Sequence, residues 1–155
     1  MHLLIVAVGK VRARELAAGI REYEGRAGRY WQLGVVEVKE ESARARSAEE
    51  VRRREGERLL EAVGTGTSIV ACDEHGTMLR SAEFAEWLRE ERDRAARDVA
   101  FVIGGAFGLA DAVLERADMR LALARWTLPH ELARLVLAEQ LYRAGTILRG
   151  EPYHK

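Results

Sequence analysis

The stretch Leu121–Tyr142, LALARWTLPHELARLVLAEQLY, decides the fold expected for this chain. It begins as an apolar run, turns at Arg125–Pro129 and continues as a helix. Pro129 suits the first helical turn, where its missing N–H costs no hydrogen bond. Thr127 is placed to cap the exposed N–H groups at the start of that helix. The stretch therefore predicts a strand, a short connection and a C-terminal helix.

The apolar residues of this last helix spread around more than one of its faces. They are Leu132, Leu135, Val136, Leu137 and Leu141, joined by Ala133, Ala138 and Tyr142. At about 100° per residue these positions exceed a single apolar stripe, so we expect the helix to be covered on two sides. Its own sheet supplies one cover. The other is either the rest of a monomer or a second protomer, and the helix sequence favours neither.

Upstream of that stretch, apolar runs of strand length alternate with helical segments. The predicted strands are His2–Val8, Leu33–Val38, Thr67–Cys72, Val99–Ile103 and Met119–Ala124. The predicted helices before the last one run from about Arg14 to Glu24, from Ser47 to Val63, from Ser81 to Arg97 and from Ala110 to Arg116. This alternation predicts one α/β domain, residues 1–155, with a five-stranded, mainly parallel sheet covered on both faces.

Glycines and small polar residues mark the expected ends of these elements. Gly25 and Gly28 are expected to break the first helix, and Asp73–Gly76 is predicted to be a turn. Ser47 and Ser81 are expected to cap the helices that follow them, because a serine hydroxyl can accept a hydrogen bond from an exposed helical N–H.

Composition argues against several classes of protein. The longest uncharged runs are too short to cross a bilayer, and the apolar start MHLLIVAVGK lacks the features of a signal peptide. Cys72 is the only cysteine, so no intramolecular disulfide can form and a reducing cytoplasm is the expected compartment. The four histidines lack ligand spacing, so no metal site is expected. Basic and acidic residues number 25 each, which argues against a surface that binds nucleic acid generally. A local basic patch that acts on one RNA site is still compatible with this balance.

A glycine-rich turn follows the fourth predicted strand, in the segment FVIGGAFG at residues 101–108. Glycines there allow a ligand to approach the backbone closely. Ligands of parallel sheets bind at the carboxyl ends of the strands, where Cys72-Asp73 and Ala124-Arg125 also lie. The turn matches neither the dinucleotide fingerprint GxGxxG nor the phosphate loop GxxxxGK[ST]. On its own, the turn is better explained as a tight strand-to-helix connection without a ligand.

The C-terminal segment RGEPYHK, residues 149–155, carries an aromatic ring, an imidazole and two cations just after the last helix. Chain ends are commonly frayed and polar. The segment is therefore either a frayed tail or an arm that contacts a substrate, and residue spacing does not choose between them.

Taken together, these segments resemble the SPOUT methyltransferases, and within them a small type that methylates 23S ribosomal RNA. The residues that carry the resemblance are LLIVAVGK at Leu3–Lys10, EGERLL at Glu55–Leu60, FVIGGAFGL at Phe101–Leu109, TLPHELARLVLAEQLYRA at Thr127–Ala144 and the terminal PYHK. The likeness runs from end to end. One position departs from the pattern, because Ala106-Phe107 stands where Pro-Glu is usual.

The resemblance implies a deep trefoil knot in the C-terminal part, a homodimer, and S-adenosylmethionine as cofactor. It also implies that the target is a pseudouridine of 23S rRNA within the ribosome, methylated at ring nitrogen N3. Carried over residue by residue, the cofactor would contact three loops that follow the third, fourth and fifth strands. Their residues are Cys72, Asp73, Gly104, Gly105, Gly108, Ala124, Arg125, Trp126, Thr127, Leu128 and Pro129.

The same resemblance suggests which polar groups act on the substrate. Tyr153 and Arg134 are assigned a positioning role, and His154 a role in removing the N3 proton, with His130 next. The candidate phosphate contacts are Lys10, Arg12, Arg14, Arg143 and Arg149. The alternative is a non-catalytic or differently targeted dimeric RNA-binding module on the same fold, which a titration with S-adenosylmethionine would separate from an enzyme.

Overall fold

A computed structural model describes residues 1–44, 46–94 and 97–155, in which strands and helices alternate along the chain. The strands are β1 His2–Val8, β2 Gln32–Val38, β3 Ser68–Met78, β4 Val99–Ile103 and β5 Met119–Ala122. The helices are α1 Arg14–Ala27, α2 Ala48–Val63, α3 Ser81–Arg94, α4 Asp111–Arg116 and α5 His130–Leu148. The predicted α/β architecture is confirmed in both the number and the order of these elements.

The five strands form one parallel sheet in the order β2-β1-β4-β3-β5. Neighbours along the chain are not always neighbours in the sheet, since β4 lies between β1 and β3. Leu3 pairs with both Leu33 and Val99, so β1 is a central strand. Its uninterrupted apolar sequence follows from this position, because a central parallel strand is covered on both faces.

Alternate residues of the strands pack into two separate apolar clusters, one on each side of the sheet. On β4, Phe101 faces the cluster that includes Leu137 and Leu141 of α5. Val102 faces the opposite cluster, which includes Leu59 of α2 and Val113 of α4. Helices α1 and α3 flank α5 on the first side. The sheet therefore has helices on both faces, as predicted.

Helix α5 is covered by its own chain on both of its apolar sides. Leu137 and Leu141 are fully buried against the sheet side of the core. Leu135 lies over Gly19 of α1, where a Cβ atom on the glycine would come within 3.4 Å of it. The indole N–H of Trp31 donates to the Leu141 carbonyl at 2.8 Å. The apolar spread of this helix is thus largely explained within one chain, without a second protomer.

Two predicted breaks in secondary structure were wrong. Helix α1 continues through Gly25 and ends at Gly28, because Gly25 faces open space and causes no conflict in the helix. Asp73–Gly76 is not a turn but part of β3, whose pairing with β5 shifts register between Cys72 and Thr77. A Cβ on Gly76 would lie 2.6 Å from the Arg120 carbonyl carbon, so the glycine permits close strand approach.

Two predicted helix caps were also wrong, whereas the one at Ser47 is confirmed by its hydrogen bond from the Glu50 N–H at 3.1 Å. Ser81 is the first residue of α3, and its hydroxyl donates to the Gln140 side chain at 2.8 Å instead of capping the helix. Thr127 donates its hydroxyl to Glu74, a residue that sequence spacing does not bring near it.

Smaller differences concern the ends of elements. Pro129 occupies the cap position of α5, which begins at His130. Strand β5 ends at Ala122, two residues earlier than expected. Helix α3 is described to Arg94, so the predicted continuation through residues 95 and 96 lies outside the described residues.

Gly145 of α5 packs against Tyr30, which lies between α1 and β2, and this contact yields a stability prediction. A Cβ added there would lie 2.6 Å from the Cβ of Tyr30 and still closer to its ring. We expect Gly145→Ala to lower the free energy of unfolding by roughly 1–3 kcal/mol, as overpacking does. Gly25→Ala is the matched control, because it also lies inside a helix but faces open space. That variant should gain about 0.5–1 kcal/mol.

Urea unfolding at one fixed protein concentration measures both variants. If the urea midpoint of Gly145→Ala rises as much as that of Gly25→Ala, the result contradicts the close packing of Tyr30 on α5.

Candidate functional site

A cavity of about 800 Å³ opens beside the middle of β3 and the ends of β4 and β5. These three strands are neighbours in the sheet, and Cys72–His75 lie where the pairing of β3 with β5 shifts register. The lining residues come mainly from three segments and from α2: Arg52, Cys72, Asp73, Glu74, His75, Ile103, Gly104, Gly105, Ala106, Phe107, Gly108, Leu109, Leu114, Leu123, Ala124, Trp126, Thr127, Leu128, Pro129, His130 and Ala133. Ten of the eleven residues predicted to contact a cofactor are among them, and exposed Arg125 is not.

The glycine turn after β4 forms a wall of bare backbone. A Cβ on Gly104 would lie 2.7 Å from the carbonyl carbon of Gly108, and one on Gly105 would lie 2.7 Å from Glu55 Oε2. Gly108 has a φ of 80° and donates its N–H to the Gly105 carbonyl at 3.1 Å. Side chains at the first two positions are excluded by contact, and at the third by backbone strain. A ligand in the cavity can therefore approach the main chain directly.

The wall formed by the middle of β3 is acidic. The Asp73 carboxylate accepts the His75 N–H at 3.3 Å, and Glu74 accepts the Thr127 hydroxyl. The second bond ties β3 to the segment after β5 across the cavity. Desolvation raises the pKa of the Cys72 thiol to about 12, so this thiol stays protonated at neutral pH and is a poor nucleophile. Cys72 contributes a small apolar surface, and the carboxylates supply hydrogen-bond acceptors.

The mouth of the cavity carries two exposed aromatic rings on different segments. Trp126 is 82% exposed, and Phe107, the residue that departs from the usual pattern, is 42% exposed. Leu128 is half-buried behind them. Arg52, His75 and His130 also border the cavity and are the basic groups among the lining residues. The rim thus combines apolar surface with a few polar groups, as small-molecule sites commonly do.

Arg134, predicted to position the substrate, lies elsewhere. Its guanidinium is buried and donates from Nε to Glu24 at 2.7 Å and from Nη1 to Glu37 at 2.6 Å. These bonds join α5 to α1 and to β2. Within one chain, Arg134 therefore fixes the orientation of α5 and does not face the cavity.

The C-terminal tail is docked on α5 and is not frayed. The Tyr153 hydroxyl donates to Glu139 at 3.0 Å, and the Tyr153 ring lies 4.7 Å from that of Tyr142. The Arg143 guanidinium lies 4.7 Å from the Tyr153 ring centroid and 3.5 Å from His154 Nδ1. Burial, followed by hydrogen bonds to Tyr23 and Glu139, raises the pKa of Tyr153. The phenol is therefore protonated and cannot serve as a base at neutral pH.

The tail of one chain folds back along α5 but does not line the cavity of that chain. Pro129, His130 and Ala133 border the cavity, whereas the Tyr153 hydroxyl reaches back only to Glu139. Glu139 lies about 9 Å along the helix beyond Ala133, at 1.5 Å per residue. Tyr153 and His154 therefore do not reach the cavity of their own chain in this conformation.

Several residues of the site were missed by sequence reasoning. Glu74 and His75 fall in a predicted turn, and Arg52 falls in a predicted helix to which no function was assigned. Glu55 lies behind Gly105, and the only signal for it in the sequence was its place in the segment EGERLL. Contacts from α2 were unpredictable because helix orientation across a sheet is not encoded in local periodicity.

The cavity suits a ligand of nucleoside size that carries polar and apolar parts. Its volume falls in the usual range for small-molecule sites. Bare backbone at Gly104 and Gly105 offers amide and carbonyl groups, and Asp73 and Glu74 offer acceptors for hydroxyl or ammonium groups. In the described parts of the chain, no group of three or more His, Cys, Asp or Glu side chains is placed to hold a metal ion. None of the helices described combines the length and apolar character needed to span a bilayer.

Comparison with known proteins gives one consistent family. The model for "Predicted SPOUT methyltransferase" matches residues 1–154. The "Ribosomal RNA large subunit methyltransferase H" of Gemmatimonas aurantiaca is 59% identical over 155 residues, which are all of both chains. The protein of the same name from Carboxydothermus hydrogenoformans is 45% identical, again over the full length of both.

Solved structures show the same fold at low sequence identity. A probable methylase family protein from Haemophilus influenzae has a TM-score of 0.58 at 16% identity, over 99% of this chain and 70% of that one. The TrmH/SpoU tRNA modifying enzyme of A. aeolicus has a TM-score of 0.53 at 17% identity, over 99% of this chain and 81% of that one.

Proposed function

This chain belongs to the SPOUT methyltransferase family, and we propose that it methylates ring nitrogen N3 of a pseudouridine in 23S ribosomal RNA with S-adenosylmethionine as methyl donor. The full-length likeness to ribosomal RNA large subunit methyltransferases H supports the substrate. The observation that carries the proposal is the cavity beside the adjacent strands β3, β4 and β5, walled by the bare backbone of Gly104 and Gly105. An enzyme of ribosomal RNA is expected to act in the cytoplasm.

The residues around the cavity fit the different parts of the cofactor. Backbone groups of Gly104, Gly105 and Gly108 suit the adenine edge and the amino-acid part, and Trp126 and Leu128 supply apolar walls. When bound, the cofactor supplies a methyl group that its sulfonium already activates. The work left to the protein is to exclude water, to align the target nitrogen and to remove its proton. Arg125, outside the lining, keeps its proposed contact only through its backbone or a small movement.

We further propose that the enzyme is a homodimer in which the tail of one protomer completes the cavity of its partner. The support is that neither Tyr153 nor His154 lines the cavity of its own chain, since Tyr153 reaches back along α5 only to Glu139. Tyr153 would then orient the base, and His154 would accept the N3 proton. Arg134 would act at a distance, because its two ion pairs fix α5 against α1 and β2. A trefoil knot in the C-terminal part belongs to the same proposal.

The candidate phosphate contacts differ in whether their side chains already bind another residue of the chain. Arg12 pairs with Glu40 at 2.6 Å, Arg143 pairs with Glu139 at 2.6 Å, and the Arg149 guanidinium covers the Tyr30 ring. Lys10 and Arg14 are exposed and form no ion pair with any residue that the structure describes. We therefore assign phosphate contact first to Lys10 and Arg14. Because the net charge is zero, a shaped site on the ribosome is favoured over tight binding to free RNA.

The test of the proposed function is methyl transfer to ribosomes from cells that lack this protein. With S-adenosylmethionine present, the 23S rRNA should gain one methyl group on one pseudouridine. Mass analysis of the RNA detects this gain. Boiled protein and ribosomes that already carry the modification serve as controls. A folded protein that shows neither heat nor thermal shift with the cofactor would instead support the non-catalytic module. Cofactor binding with methylation of a different RNA would overturn the assigned substrate.

A further inference from the structure

Glu55 on α2 is a buried carboxyl group that the reaction described above does not use. The residue is 2% exposed. Its Oε1 accepts the N–H of Glu41 at 2.9 Å. Its Oε2 is buried and has no hydrogen-bond partner among the residues that the structure describes. A buried oxygen without a partner is costly, so its position calls for an explanation.

The Oε2 of Glu55 lies directly behind the glycine turn that walls the cavity. A Cβ atom on Gly105 would come within 2.7 Å of this oxygen and within 3.1 Å of Val8 Cγ1. Gly105 itself lines the cavity, whereas Glu55 does not. The carboxyl group therefore touches the wall from the side opposite to the ligand, and any shift of this group would let the turn move.

The other oxygen of Glu55 accepts a hydrogen bond from the charged segment that follows β2, at Glu41. Arg58 of α2 donates to the Lys39 carbonyl at 2.8 Å and also binds the Glu41 carboxylate. Arg46, in the same segment as Glu41, lies 3.0 Å from that carboxylate. The contacts of Arg58 fasten residues 39–41 to α2, and Glu55 also lies beside the turn of the cavity. One side chain thus bridges two loops at the carboxyl edge of the sheet.

The surroundings of Glu55 favour its neutral form. Desolvation raises the pKa of its carboxyl, the Glu41 N–H and Arg58 lower it, and the charges of Glu40 and Glu41 raise it, with the pKa raised on balance. Val8 and the glycine turn, which also face the carboxyl, bring no charge. A folded-state pKa above the unfolded value means that protonation stabilises the fold, and this contribution is lost as the pH rises through the folded pKa.

We propose that Glu55 is a positioning residue for cofactor binding, whose buried carboxyl supports Gly105 from behind and ties the glycine turn to residues 39–41. The inference rests on the proposed function, because it assumes that the cavity receives the cofactor. Glutamine has the same shape as protonated glutamate, so it should replace Glu55. Alanine should not, because it leaves the Glu41 N–H without its acceptor and removes the support of Gly105.

The experiment compares Glu55→Gln and Glu55→Ala with the wild type, and Glu57→Gln serves as the control. Glu57 lies on the same helix but is exposed, and it pairs only with Arg53 among the described residues. In calorimetric titrations with S-adenosylmethionine, Glu55→Gln and Glu57→Gln should bind like the wild type. Glu55→Ala should bind about 10-fold more weakly, since a lost buried hydrogen bond costs that much. Its KM for the cofactor should rise in step while kcat stays near the wild-type value.

A second readout uses the product S-adenosylhomocysteine as probe, because its thioether carries no charge that could attract an ionised Glu55. Between pH 5 and pH 9, the affinity of the wild type should fall with rising pH, and that of Glu55→Gln should fall less. Three outcomes would overturn the inference: unchanged binding by Glu55→Ala, a loss in Glu55→Gln as large as in Glu55→Ala, or identical pH profiles. If the wild type binds neither probe, the proposed function itself fails. If Glu55→Ala does not fold, the glutamine variant and the pH profiles still decide.

Discussion

Gly105→Val should abolish cofactor binding while the chain stays folded. The first added carbon would already lie 2.7 Å from Glu55 Oε2 and 3.1 Å from Val8 Cγ1, so the Glu55 carboxyl or the turn must shift. The two further methyl groups of valine would then occupy space that the cofactor needs. Overpacking costs roughly 1–3 kcal/mol. That cost lowers the stability of the fold. The blockage of the cavity acts on binding itself, and we expect it to raise the dissociation constant by roughly 100-fold or more.

Calorimetry with S-adenosylmethionine measures the loss of cofactor binding. Thermal unfolding followed by circular dichroism shows whether the chain stays folded. Gly25→Val is the matched control, because the same substitution there faces open space on an exposed helix. It should bind the cofactor like the wild type. A folded Gly105→Val protein with wild-type affinity would show that the cofactor does not bind at the glycine turn.

Deleting residues 152–155 should leave the fold and much of the cofactor affinity intact but reduce methyl transfer by roughly 100-fold or more, the usual contribution of a general base. The truncated chain loses the Tyr153–Glu139 hydrogen bond, which is worth about 1 kcal/mol. It keeps Glu151, which accepts the Tyr30 hydroxyl and holds the end of α5. His154→Ala alone should be milder at high pH, where solvent hydroxide can take the N3 proton.

Mixed dimers test whether each site needs both chains. The tail-deleted chain keeps an intact cavity, and the Gly105→Val chain keeps an intact tail. If a site is shared, heterodimers of the two inactive variants should recover up to one working centre per dimer. Sedimentation must first show that the wild type is a dimer and that the variants exchange. Verified heterodimers without activity, or a wild type that sediments only as a monomer at micromolar concentration, would refute the shared site.

The elements of this fold were largely readable from local patterns, but the neighbours of each residue were not. Apolar runs such as Val99–Ile103 are long enough for strands and end at glycines, so their existence could be predicted. The insertion of β4 between β1 and β3 could not, because it depends on the packing of the crossover helices. Gly76 looked like a turn residue because glycine breaks local structure. Only the approach of Arg120 explains its place in a strand.

The same division applies to the site. Three segments could be brought to one cavity because the carboxyl ends of parallel strands share an edge of the sheet. The hydrogen-bond and ion-pair partners of the predicted side chains, however, lie in distant parts of the sequence. Thr127 was expected to cap α5, yet its hydroxyl bonds to Glu74, 53 positions earlier in the chain. Arg134 was expected at the substrate, yet two carboxylates hold it inside the fold. Local spacing cannot weigh a capping bond against such distant ones.

The strand order also governs when the site can arise during folding. β1 lies between β2 and β4, and Leu3 pairs with Val99, so the centre of the sheet closes only after most of the chain is available. The cavity further requires β5 and the start of α5 near His130. Contacts between residues so distant in sequence form slowly because long loops must close first. Partly synthesised chains therefore lack the cavity, and a cofactor that binds there stabilises only the finished fold.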